Sequence, residues 1–230
     1  MSFFHKDWKS IYDLKRLKFS KKNSLIQKYK IISLGWDCLP RKLLTQWGIK
    51  PTKAEGEMSY PFDLAMHNLH YVIKILENDF QEYLTKIVYF PEKKEWYNDI
   101  YHVIYNHDET LSQKEEFIGR YYKRINNFHH VIKNFDNLIF IYHALPDDLV
   151  SDIYKLLQIL TKLVKEKNFH LIVISETWQT LDKLPHFSLC YAPYPAPKYV
   201  WWEKTYNLDR LKYETRLIKK IFKIIKKVIK

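Results

Sequence analysis

Four glycines and two cysteines are few for a chain of 230 residues. So small a glycine count excludes the glycine-rich loops that cradle nucleotide phosphates, and neither common form of that motif is present. Two cysteines, Cys38 and Cys190, cannot build a disulfide framework, so reduced thiols and a cytoplasmic setting are expected. No apolar run reaches the roughly 18 residues that cross a bilayer, and no charged-then-apolar leader opens the chain. A membrane span and a secretory signal are therefore not expected, and no internal repeat is apparent.

What is abundant is positive charge and aromatic rings. Lysine and arginine number 38 against 26 acidic residues, a formal charge of +12. An excess of that size suits an anionic partner. Much of it sits at the two ends, in "HKDWKSIYDLKRLKFSKKN" and "KKIFKIIKKVIK". With the charge in an amphipathic tail and no nucleic-acid motif beside it, no nucleic-acid partner is expected. Aromatics make up 17% of the chain, led by 18 tyrosines, which fits a core of large side chains or a ring-lined groove.

The length suits a single domain. Residues 1–28 read as a basic, aromatic arm or helix packed on the body. "YKIISLGWDC" reads as a buried strand over Lys30 to Leu34, then a turn for which Gly35 supplies backbone freedom. "CLPRKLLTQW" has helical spacing, with Asp37 as its N-cap, Pro40 in its first turn and Gly48 just past its end. Helices are also predicted over "LHYVIKILENDFQEYL", "SQKEEFIGRYYKRINNFHHVIKN" and "DDLVSDIYKLLQILTKLVKEK", and a strand over "IYHVIYNHDE". Strand, helix, strand across "NLIFIYH" and "FHLIVISET" is a βαβ unit, so Leu138–Tyr142 and His170–Ser175 should run parallel. The fold class is α/β: one domain, residues 1–209, with a small, mainly parallel sheet flanked by helices, followed by a cationic amphipathic helix at 210–230. "CYAPYPAPKYVWWEK" carries too many prolines for regular structure and reads as a ring-rich loop, a lid or binding surface or a cover over the sheet edge.

Cys38 falls at a strand-to-helix junction. A helix start lowers a thiol pKa and offers backbone N–H groups to an oxyanion, but an activated thiol also needs a base. His107 ends one predicted strand beside Asp108. His143 ends the best strand, where open α/β sheets gather ligands. The spacing leaves the choice between them open. A buried cysteine acting as a small hydrophobe is the plainer reading. His67 and His70 lie three apart but have no third ligand nearby, so no metal site is expected. In the tail, Leu217, Ile218, Ile221, Phe222, Ile225, Val228 and Ile229 form one stripe, with Lys219, Lys220, Lys223, Lys226 and Lys227 around it. That pattern predicts a helix lying on an anionic membrane surface; a helix packed on the body with a solvated cationic face is the other reading.

"ISLGWDC", "YPFDLAMHN", "NDFQEYL", "YNHDE", "RYYKRINNF" and "NLIFIYHA" follow one another over roughly residues 30 to 180. In this the chain resembles the DUF1796 group of bacterial papain-like cysteine peptidases. Leu64 stands where the group usually has tryptophan, and Lys123-Arg124 where paired arginines are usual. The resemblance implies Cys38 as nucleophile, His107 as base, and Asp108 or Asp63 as an orienting or structural carboxylate. Gly35, Trp36 and Asp37, which flank the thiol, and Arg124 are read as substrate-binding positions. The group looks like a companion of capsule and lipopolysaccharide assembly, which implies a cysteine-dependent transferase or hydrolase acting on a glycan or lipid-linked glycan, the transferase passing an acyl group to a sugar. No cofactor is certain; a coenzyme A thioester would be the donor. The setting would be cytoplasmic, peripheral at the inner membrane. Two other readings stand beside it. One is a sugar-modifying enzyme working through Asp37, Asp63, Asp108 or Glu176. The other is a membrane-surface binding module with no reactive thiol.

Overall fold

The computed structural model describes residues 8–20, 29–108, 110–111, 113–196, 199–202 and 207–229. Its centre is a four-stranded parallel sheet of β1 (Lys30–Ser33), β5 (Asn137–His143), β6 (Asn168–Ser175) and β7 (Phe187–Tyr191), in that order across the sheet. β5 and β6 pair in parallel through α5 (Val150–Val164), the βαβ unit expected from the sequence. Both faces of the sheet are buried, and its side chains alternate between two cores. Ile32, Phe140, Tyr142, Leu171 and Val173 enter the larger core with α3 (Leu69–Glu77), α4 (Lys114–Asn134) and α5. Ile31, Ile139, Ile141, Ile172 and Ile174 enter the other, with α1 (Trp8–Ser20), α2 (Leu39–Gln46) and α6 (Leu208–Val228).

Three departures from the sequence reading have physical causes. The helix expected over residues 69–84 stops at Glu77, because Asp79 and Phe80 take left-handed backbone at φ 48° and 62°. Left-handed backbone is unfavourable for residues with a Cβ. Here it turns the Phe80 ring into the core against Phe62 and Phe128. The strand expected near residue 104 is the last of an antiparallel meander, β2 (Ile87–Phe90), β3 (Glu95–Asn98) and β4 (Val103–Tyr105), whose first two strands are short and half-exposed. β7 was hidden inside a segment that reads as turn and loop.

The N-terminal arm 1–28 is described over residues 8–20, where α1 inserts Tyr12 beside Trp47; the rest of the arm lies outside the described residues. α6 is part of the same body. Its stripe of Leu217, Ile218, Ile221 and Ile225 is fully buried in the second core, so it is not an apolar face left for a membrane. Phe222 is half-buried beneath Lys226, 4.5 Å from its ammonium. Lys219, Lys220, Lys223, Lys226 and Lys227 remain on the exposed side. Part of the tail's charge guards the sheet: Lys220 donates to the Tyr191 carbonyl at 2.6 Å on the β7 edge. At the opposite edge the buried Lys50 does the same for Ile31, also at 2.6 Å. Ammonium groups on unpaired strand edges block pairing with another chain. Among the described residues, no helix is long and apolar enough to cross a membrane.

Candidate active site

β1 ends at Ser33, and the chain crosses the carboxyl edge of the sheet before α2 begins. Gly35 makes that crossing possible by its smallness, not by an unusual φ. A Cβ there would lie 3.0 Å from the Asp37 carbonyl oxygen and 3.4 Å from the His143 nitrogen. Cys38 itself is the N-cap of α2, with Pro40 in the first turn and Gly48 left-handed after the last, at φ 66°. The capping expected of Asp37 is displaced by one residue. Its carboxylate accepts from Leu39 N–H at 2.9 Å, the first amide of the helix proper.

His107 follows β4 by two residues and reaches the thiol: Cys38 Sγ and His107 Nε2 are 3.3 Å apart. Of the two histidines left open by the sequence, the fold brings this one to the sulfur. His143 is buried and engaged elsewhere, with Nδ1 on Asp37 and Nε2 on Glu176. Asp108 does not turn towards the imidazole. It accepts from Arg120 and from Tyr121 Oη, with Arg124 at 3.5 Å, so it pins the His107 turn onto α4. Arg124 is buried between Asp108 and the Tyr121 ring, 4.3 Å from the ring centre. Asp63 accepts from Tyr60 N–H at 2.9 Å and faces Lys50 at 3.7 Å and Arg41, on α2, at 3.8 Å. Trp36 is half-buried, and its carbonyl accepts from His67 N–H.

The thiol is not the low-pKa group its helix position suggests. Burial pushes Cys38 up to about 11, and Asp37 adds to this against the ammonium of Lys42. The magnitudes explain the order. A helix start contributes about 0.3–1 kcal/mol, less than one pKa unit, and burial outweighs it. Cys38 therefore rests as a thiol whose S–H can donate to Nε2. Lys42, whose ammonium acts on the thiol, is a candidate site residue the sequence reading passed over. Its signal was there: it lies at i+4 from Cys38, one helical turn on.

His67 precedes α3 rather than lying on it, and is buried with Nδ1 on the Ala65 carbonyl and Nε2 on Tyr83 Oη. Burial lowers its pKa to about 3, so it stays neutral. His70 is exposed, so the two do not form a ligand pair. A groove of about 600 Å³ lies at the amino ends of β6 and β7, lined by residues such as His170, His186, Ser188 and Lys227. It is at the opposite end of the sheet from the thiol.

The ring-rich loop lies over the carboxyl edge. Trp201 Nε1 donates to Asp37 Oδ2 at 2.8 Å, and the neighbouring Trp202 is 57% exposed. Residues 197–198 and 203–206 lie outside the described residues. The geometry as a whole is a thiol, a base within hydrogen-bond reach, a nearby ammonium and an aromatic rim. That arrangement suits nucleophilic attack on a carbonyl carbon.

Comparison with curated proteins and with solved structures finds no match. A protein-family model described as "Putative papain-like cysteine peptidase (DUF1796)" matches residues 29–175, a span that carries both Cys38 and His107. The sheet is parallel and open, so the papain likeness rests on the thiol–imidazole pair, a constellation that recurs on unrelated folds. The match covers more than half of the chain, which thus belongs to the DUF1796 family.

Proposed function

We propose that this protein is a thiol-dependent acyl-transfer enzyme, with Cys38 as nucleophile and His107 as general base. The observation that carries the reading is the 3.3 Å approach of two side chains 69 residues apart in sequence. His107 Nε2 takes the thiol proton as Sγ attacks the carbonyl carbon. The oxyanion that forms lies near the Cys38 N–H and the Lys42 ammonium. Collapse breaks the bond to the leaving group, which receives the proton from His107 and leaves an S-acyl enzyme. An incoming O–H then gives its proton to His107, its oxygen takes the acyl group, and the departing sulfur recovers the proton. Water as the acceptor makes a hydrolase; a sugar hydroxyl makes a transferase.

For the acceptor, we read a surface glycan or its lipid-linked precursor, used at the inner face of the membrane. Two features support this reading. The exposed Trp202 offers a flat ring at the rim of the site. The exposed lysines of α6 would each contribute about 1 kcal/mol near anionic headgroups.

Incubation with an activated acyl thioester, followed by intact-mass and peptide mapping, tests the chemistry. Wild type should carry the acyl group on Cys38, and Cys38→Ser should carry none. His107→Ala should acylate about 100-fold more slowly or worse. Equal labelling of all three would overturn the reading. Adding water alone or a sugar acceptor to the acylated enzyme separates hydrolase from transferase.

A further inference from the structure

Beside the thiol, the carboxyl edge of the sheet carries a second group of buried charges. His143, the last residue of β5, is 1% exposed. Its Nδ1 lies 3.0 Å from Asp37 Oδ1 and its Nε2 3.2 Å from Glu176 Oε1. Asp37 follows β1 and Glu176 follows β6, so the ring ties together the ends of three parallel strands. A neutral imidazole has only one N–H to donate. With a carboxylate against each nitrogen, both bonds form only when the ring is an imidazolium. Asp37, in turn, holds Leu39 N–H at the start of α2 and Trp201 of the ring-rich loop.

We propose that His143 is a positioning residue for the nucleophile: its imidazolium, clamped between Asp37 and Glu176, holds the carboxylate that seats α2 and offsets the charge this carboxylate would otherwise turn on Cys38. The proposal rests on Cys38 being the nucleophile. The charged and titratable groups concerned are few. Asp37 and Glu176 face the ring directly, and Tyr194 of the loop and Tyr213 of α6 face Glu176. Both phenols are pushed up by burial and stay neutral. The thiol faces His107, Lys42 and Asp37. Burial works against a charged His143, but the two carboxylates overcome it and hold the ring up to about 9. Asp37 in turn raises the thiol.

The test is the rate of Cys38 alkylation by iodoacetamide at a fixed, mildly alkaline pH, with Cys190 as the internal comparison. His143→Gln removes the positive charge, leaves Asp37 uncompensated, and should slow alkylation about threefold or more, half a pKa unit. Asp37→Asn breaks the same bridge but removes the negative charge, and should speed alkylation by about the same factor. The double variant should return to within about twofold of wild type. A clamp that acts by shape alone would move both single variants in the same direction, and that result overturns the proposal. Should His143→Gln not fold, the intact protein still decides. In a histidine-labelled NMR titration one ring should titrate near 9, and no ring titrating above its ordinary range would overturn the proposal. His107→Ala separates this from the reading beneath it. If acylation of Cys38 is indifferent to His107, the thiol-enzyme assignment fails, while the opposite shifts of the two charge variants still succeed or fail separately.

Discussion

His67 and His143 sit in different parts of one molecule and are equally hidden, at 0% and 1% exposure. Each has both ring nitrogens bonded. His67 meets a carbonyl and a tyrosine hydroxyl, His143 two carboxylates. Burial opposes the charged form of both. At His67 only the Ala65 carbonyl resists it, and the pKa falls to about 3. At His143 the carboxylates prevail, and it rises to about 9. Partners, not depth, decide whether a buried imidazole is charged. Only the charged one stands beside the thiol.

The largest expected effect comes from breaking the charged site. His143→Ala leaves the buried Asp37 and the half-buried Glu176 without their cation and should cost about 4 kcal/mol at neutral pH. A group whose folded pKa is raised contributes stability that is fully present below its unfolded pKa and is lost as pH rises through the folded value. The gap between wild type and His143→Ala, measured by urea denaturation, should therefore narrow from about pH 6.5 to about 9.

His67→Ala comes next, at about 3 kcal/mol, because it opens a cavity and takes from Tyr83 Oη its bond to the ring, leaving the one to the Pro61 carbonyl. Its pH dependence should be the mirror image. Below about pH 6.5 the unfolded chain takes up a proton that buried His67 refuses, so the gap should narrow as pH falls towards 3. Cys38 alkylation should be unchanged in this variant. The smallest effect is expected from Tyr83→Phe, which removes one bond from His67 and should lower stability by about 1 kcal/mol. It should leave the ring neutral down to about pH 3. An imidazole that becomes charged in Tyr83→Phe would show that the hydroxyl, not burial, keeps His67 neutral.

Much of the fold was legible because it is written in local patterns. The apolar runs at 138–142 and 170–175, with an amphipathic stretch between them, became β5, α5 and β6 in parallel register. The Pro40 and Gly48 signals bracketed α2 correctly. The meander was not legible: β2 and β3 are four residues each and half-exposed, too short for their alternation to stand out. The carboxylates were the least legible part of the site. Asp63 and Asp108 stood out by motif as orienting or structural carboxylates, but the cations each one meets come from other elements, Lys50 and Arg41 for Asp63, Arg120 and Arg124 for Asp108. The burial of the tail's stripe was not legible either. The apolar stripe alone fits a membrane surface or a core equally well, and the second core takes it.

By itself, the sequence determined that a cysteine stands where a strand gives way to a helix, because apolar periodicity, Pro40 and Gly48 act over a few residues. Which histidine meets that cysteine, and that burial keeps it a thiol at rest, were decided only by tertiary structure. Hydrogen-bond partners and desolvation depend on groups that the fold brings together from across the chain: His107 from the meander, Glu176 from the end of β6 and Trp201 from the loop.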